Sequence, residues 1–211
     1  MSDLRALHDA ILNGDAKTAI ALTREALAQN TDPLELVTKY MIPAMDEAGR
    51  RFECEEYFVP DLLVAARAMK GTLELIRPLL AERGNEPAGR VVIGTVKGDL
   101  HDIGKNLVAS MLEGGGFEVI DLGADVAPEK FVEAVKEKNA DFVCLSALLT
   151  VTMSAMRTTI KALENSGVRQ AVHVLVGGAP VTEQFATQIG ADGYAPSATA
   201  AVALARRLVA R

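Results

Sequence analysis

Cysteine is scarce in this chain: there are two, Cys54 and Cys144, far apart and with no C-x-x-C pair between them. That spacing offers neither a disulfide framework nor a thiolate metal site, so both are expected to be buried small hydrophobic residues. Basic residues are not in excess either, since 22 Lys and Arg stand against 28 Asp and Glu for a formal net charge of −6. With no basic face to wrap a phosphate backbone, nucleic-acid binding is not expected. No window reaches the run of about 18 apolar residues needed to cross a bilayer. The opening stretch MSDLRALHDAILNGD lacks the cationic segment, apolar stretch and small-residue cleavage site of a signal peptide, so the chain is expected to be cytoplasmic, with no membrane partner. What it does have is ordinary globular content, 49% hydrophobic and 24% charged over 211 residues, enough to build a core in one large domain or two small ones.

Periodicity divides the chain. From Leu4 to about Glu82 apolar residues recur three and four apart (Leu4, Leu7, Ile11; then Leu62, Ala66, Met69, Leu73, Ile76), the spacing of amphipathic helices. Breaks at 13–15, 30–33 and 52–60 predict about four helices, with Pro33 and Pro60 at helix starts. A helical domain is expected over 1–82 and an exposed linker, rich in Gly, Pro, Asn and charge, over 83–89. From 90 to 211 short apolar runs at 90–96, 117–122, 141–147, 172–177 and 193–195 alternate with helical segments at 103–113, 128–138, 152–166, 181–189 and 197–210. Such β/α repeats predict a parallel five-stranded sheet covered on both faces. In the flavodoxin-like (Rossmann-like) order 2-1-3-4-5, a ligand crevice opens at the carboxyl ends of strands 1 and 3.

Three unusual strand ends face that crevice. After strand 1 comes VKGDLHDIGKN, in which His101 sits two residues beyond Asp99; strand 3 runs into Ser146-Ala147-Leu148; strand 4 runs into Gly177-Gly178. A histidine that donates its Nδ1 proton to a carboxylate keeps Nε2 as a free lone pair, the arrangement of an oriented metal ligand. Ser146 is placed to hydrogen-bond Asp99 and complete a relay that tunes the ligand rather than attacks a substrate. His8 and His173 lack a carboxylate at suitable spacing and are expected in solvated or core roles. The run Gly114-Gly115-Gly116 is expected to end a helix, and Glu53, Glu55 and Glu56 to form a solvated face.

Asp99-x-His101-x-x-Gly104, Ser146-x-Leu148 and Gly177-Gly178, separated by residues 105–145 and 149–176, resemble the pattern of the cobalamin (vitamin B12)-binding domains of methionine synthase and of corrinoid proteins in methyltransferase systems. The resemblance implies base-off cobalamin, with His101 as the lower ligand of cobalt and the nucleotide tail inserted between sheet and helices. It places Gly98, Leu100, Asp102 and Ile103 in the cobalamin loop, Thr150 against the nucleotide tail, and Tyr194 and Ala198 where the tail pocket closes. Gly104, Gly177 and Gly178 would let backbone approach the tail where a Cβ would collide. The segment from Met45 to Leu80 is similar to the family's four-helix cap over the methyl-bearing face, which implies that Phe52 and Val59 lie over the methyl group.

The family resemblance implies a corrinoid methyl carrier cycling between Co(I) and methyl-Co(III). Its expected partners are a substrate-specific methyltransferase, a methyl-acceptor methyltransferase and a reductive reactivation partner. A carrier subunit rather than a complete enzyme is expected, because cap and cobalamin domain leave no room for substrate-activating barrels of about 250 residues each. A cobalamin-sensing regulator would need a DNA-binding head, which is not evident before the cap. The small subunit of an adenosylcobalamin mutase would usually lack the helical cap. A receiver-like signalling domain would need an acceptor aspartate where Ser146 stands.

Overall fold

The computed structural model describes residues 4–84 and 86–209. Asn85 of the expected linker, and residues 1–3 and 210–211 at the ends of the expected domains, lie outside the described residues. The chain forms two compact units, one holding residues up to Pro87 together with Glu113–Gly116, the other Ala88–Leu112 and Phe117 onward.

The first unit is helical: α1 (Leu4–Leu12), α2 (Ala16–Ala28), α3 (Pro33–Leu36), α4 (Ile42–Glu53) and α5 (Val59–Glu82). A π-helical turn over Val37–Met41 joins α3 to α4, so these run as one rod and the four helices expected from the apolar spacing are present. Pro43 gives the wide turn a cause. Proline has no N–H for the Lys39 carbonyl and its ring would crowd that oxygen, whereas the turn closes instead through the Ile42 N–H on the Val37 carbonyl. Helix starts are fixed by carboxylates: Asp15 accepts the Thr18 N–H at 3.0 Å, and Asp61 accepts the Phe58 N–H at 2.8 Å. Leu7, Ile11, Leu36, Met41, Leu62, Met69 and Ile76 are fully buried. Cys54 departs from expectation and is exposed. It caps the end of α4 on the same solvated turn as Glu53, Glu55 and Glu56.

The second unit alternates strictly: β1 (Arg90–Thr95), α6 (Ile103–Gly114), β2 (Glu118–Asp121), α7 (Pro128–Lys138), β3 (Phe142–Ser146), α8 (Met153–Asn165), β4 (His173–Gly177), α9 (Glu183–Ile189), β5 (Gly193–Tyr194) and α10 (Ala198–Val209). A short 3-10 turn at Arg169–Ala171, which periodicity does not signal, precedes β4. Gly114 ends α6 and Gly116 follows at φ +94°, so the glycine run is a helix stop as expected. All strand pairs are parallel, in the order β2-β1-β3-β4-β5.

Side-chain alternation splits the sheet into unlike faces. Val92, Val143, Leu145, Val174 and Val176 join Phe131, Met156, Ile160 and Ala186 of α7, α8 and α9 in one packed layer. On the other face Ile93, Cys144 and Leu175 border a cleft that α6 and α10 also line. Register then sets the level of the loops: Thr95 pairs with Ser146, and Ser146 with Gly177, so the segments after β1, β3 and β4 leave the sheet side by side.

Candidate functional site

Beyond β1 the backbone is held at nearly every step before His101. The Val96 N–H donates to the Ser146 carbonyl at 3.0 Å, the Asp99 N–H to the Val96 carbonyl at 3.1 Å, and the Thr95 hydroxyl to the His101 carbonyl at 3.1 Å. This folds the Asp99 side chain inward, where it is completely buried. One of its oxygens accepts the His101 backbone N–H at 3.0 Å and faces the His101 Nδ1 at 2.8 Å. The other accepts the backbone N–H groups of Leu148 (2.8 Å) and Leu149 (3.2 Å) and the Thr152 hydroxyl (2.7 Å).

Burial by itself would raise the Asp99 pKa. The hydrogen bonds from the Thr152 hydroxyl, the His101 and Leu148 amides and the imidazole outweigh it and hold the carboxyl well below the usual carboxylate range. An ionised Asp99 favours a proton on His101 Nδ1, so that in the neutral imidazole the lone pair falls on Nε2, on a side chain that is half exposed.

The hydroxyl that reaches Asp99 is that of Thr152, at the start of α8, and not that of Ser146, so the expected relay is corrected in its third member. Ser146 instead borders the cleft. Position explains the difference: Ser146 is the last residue of β3, paired on both sides, whereas the turn after Leu148 doubles back and carries Thr152 onto the carboxylate.

The cleft has a volume of about 630 Å³. Leu100, His101, Asp102, Ile103 and Gly104 border it on the β1–α6 side, Ser146 and Leu148 after β3, Gly177 and Gly178 after β4, and Tyr194 and Ala198 beside β5 and α10. Gly98 and Thr150 are not among its lining residues. Gly98, at φ +86°, serves the backbone of the loop, and Thr150 is exposed on the turn before α8. Phe52, half-buried in α4, and Val59, exposed at the start of α5, belong to the first unit.

The glycines differ in what requires them. At Gly178, φ +128°, an added Cβ would stand 1.9 Å from the Ala147 carbonyl oxygen, so the protein's own backbone demands glycine. At Gly177 the nearest atom is the Ala195 oxygen at 3.3 Å, and at Gly104 an added Cβ meets no protein atom within 4 Å. The expected steric reason, room for a ligand, therefore survives best at Gly104. Lys105, in the first turn of α6, is buried: its ammonium contacts Asp121 at the end of β2 and the Asn106 side chain at 2.6 Å. A lysine this buried is recognisable only once its partner carboxylate is in place.

His8 takes the expected solvated role, with the adjacent Asp9 carboxylate 3.0 Å from its Nδ1, a neighbour that spacing alone did not single out. His173 packs tilted on Phe142 with ring centroids 5.5 Å apart. Among the described residues no group of three or more His, Cys, Asp or Glu side chains could hold a metal ion. His101 is an oriented imidazole at the edge of a largely apolar cleft, and such a cleft suits a bulky organic ligand.

Comparison with known proteins agrees with that chemistry. Two family models, both described as a B12 binding domain, match residues 3–77 and 89–203. The chain is 44% identical over 203 residues to trimethylamine corrinoid protein 1 of Methanosarcina acetivorans, covering 95% of this chain and 94% of that protein. It is 42% identical to the dimethylamine corrinoid protein of Methanosarcina barkeri, covering 98% and 97%. Among solved structures, a cobalamin-binding protein from Desulfitobacterium hafniense aligns with TM-score 0.79 at 35% identity over 98% of both chains. A chain of the methanol:cobalamin methyltransferase complex of Methanosarcina barkeri aligns with TM-score 0.87 at 27% identity, over 98% of this chain and 79% of that one. Matched over both halves and alike in fold along nearly its whole length, the chain belongs to the B12-binding corrinoid proteins.

Proposed function

We propose that the chain is a corrinoid methyl carrier that holds cobalamin base-off with His101 on cobalt, and that it passes methyl groups between a substrate-specific methyltransferase and a methyl-acceptor methyltransferase. The observation that carries this reading is the Asp99–His101 pair beside the cleft. A bound corrinoid would supply a cobalt centre able to accept and give up a methyl group.

The chain's own part is ligation and shelter. His101 Nε2 is the donor, its ring orientation set by Asp99 and, behind it, Thr152. The cleft between sheet, α6 and α10 receives the nucleotide tail, with Gly104 leaving space and Tyr194 and Ala198 closing the wall. Leu100 and Ile103, 76% and 79% exposed, flank the histidine with apolar surface suited to the underside of a corrin. The relatives named for trimethylamine and dimethylamine favour a methylamine as methyl source, recognised by the partner rather than by this chain.

Electron paramagnetic resonance of the Co(II) state, with ¹⁵N-labelled histidine, tests the ligation. Wild type should show hyperfine coupling to one protein nitrogen, and His101→Ala should lose it while keeping corrinoid. An unchanged signal in His101→Ala would remove His101 from the cobalt. Methylated protein should release its methyl group to an acceptor only when a cognate methyltransferase is added; rapid release without one would overturn the carrier role.

A further inference from the structure

The loop that presents His101 is held from outside by one residue of the β2–α7 connection. Asp125 sits at φ +55°, a left-handed conformation unusual for a residue with a side chain. In that conformation its backbone and side chain both turn toward the histidine loop. Its N–H donates to the Asp99 carbonyl at 2.9 Å, and its carboxylate accepts the Gly98 N–H at 2.8 Å. The same carboxylate lies 3.0 Å from the Lys97 ammonium. One residue thus grips three consecutive residues, Lys97, Gly98 and Asp99, ending at the one that orients His101.

The segment bearing Asp125 is itself anchored. The Thr95 N–H donates to the Gly123 carbonyl at 2.9 Å and the Val126 N–H to the Thr95 carbonyl at 3.0 Å, extending the parallel pairing past the end of β1. Asp121 accepts the Gly123 N–H at 2.8 Å and holds the buried Lys105 ammonium. Lys105 lies four residues after His101 and Gly98 three before it, so both flanks of the histidine are tied to the single segment 121–126.

We propose that Asp125 is a positioning residue for His101, and that its hydrogen bond to the Gly98 amide sets how much of the bound corrinoid carries His101 on cobalt. This rests on the ligation reading above. The Lys97 contact is secondary, because both side chains are substantially solvated and water screens such exposed pairs. Loss of the amide acceptor frees a backbone group next to Asp99, whose own hydrogen bond to His101 is of the kind that typically matters by about 10–100-fold at a metal-bound histidine.

The left-handed backbone dictates the variants. Asp125→Gly keeps that conformation without strain and keeps the N–H to Asp99, losing only the carboxylate; Asp125→Asn tolerates the conformation and keeps an oxygen for Gly98, losing only the charge facing Lys97. Full-length protein is reconstituted with cobalamin, reduced to Co(II), and the ratio of protein-nitrogen-coordinated to uncoordinated cobalt is read by electron paramagnetic resonance, with bound corrinoid and melting temperature measured alongside. Asp125→Gly should bind stoichiometric corrinoid with that ratio lowered about tenfold, and Asp125→Asn should match wild type. An unchanged ratio in Asp125→Gly overturns the proposal. So does an equal fall in both variants together with a lowered melting temperature, which would make the residue a general structural support. A wild-type spectrum without protein nitrogen would overturn the ligation reading, and this proposal with it.

Discussion

Thr152 donates to the Asp99 oxygen that His101 does not use, at 2.7 Å, so one fully buried carboxylate joins the imidazole to the start of α8. Removing that hydroxyl leaves a buried anion short of a donor, at a cost of about 1–3 kcal/mol. Thr152→Val is therefore expected to lower the denaturant midpoint and shift the Co(II)/Co(I) potential. Thr152→Ser should restore both, and Ser146→Ala should move neither as far.

A second expectation concerns acid. Asp99 has a folded-state pKa below its ordinary value of 3.8, so the stability it contributes is present above that value and is lost as pH falls through the folded pKa. Urea midpoints of the corrinoid-free protein should hold from neutrality to about pH 5 and decline below pH 4. Asp99→Asn removes this contribution. Its midpoint should be lower at pH 7, with a shallower fall below pH 4; parallel curves for the two proteins would show that the carboxylate is not the group responsible.

The thiols should separate by reactivity. Cys144 is buried and its pKa is raised to about 12 by burial, whereas Cys54 is exposed. A chromogenic disulfide reagent at pH 8 should titrate one thiol in native protein and two in denaturant. Since Cys144 borders the cleft, Cys144→Leu should weaken binding of cobalamin far more than of a corrinoid without a nucleotide tail. Equal losses for both would place the tail elsewhere.

Two glycines give opposite outcomes. Gly178→Ala meets the Ala147 oxygen in a conformation costly to any side chain, so destabilisation of about 1–3 kcal/mol from backbone strain alone is expected, with or without cofactor. Gly104→Ala meets no protein atom and lies in α6, so the melting temperature of the corrinoid-free protein should hold or rise slightly while cobalamin affinity falls.

The strands, their end positions and the Asp99–His101 pair were legible because each follows from local pattern: apolar runs of strand length, glycine and histidine at their ends, and a carboxylate two residues from its imidazole, whereas the strand order rested on the fold type those repeats imply. Thr152, Lys105 and Asp125 were not. Their roles depend on partners 53, 16 and 27 residues away in the chain, which become neighbours only when β1, β2 and β3 pair in register. A strand end points to Ser146 for the hydroxyl role, but a strand-end side chain is fixed by the pairing of β3, whereas Thr152 owes its place to a turn that periodicity does not encode. Cys54 is exposed for the converse reason, since scarcity alone does not bury a cysteine that closes a helix in a glutamate-rich turn.

The sheet has one fully packed face and one that includes a hollow of about 630 Å³. A ligand that fills such a hollow completes the core, and its occupancy is coupled to folding by mass action: a free concentration one hundred times Kd adds about 2.7 kcal/mol to the stability of the folded state. The protein's resistance to heat and to proteases should then report the free corrinoid around it. In a cell short of cobalamin the empty chain would be the form removed first, so that the amount of carrier follows the amount of cofactor without any dedicated sensor.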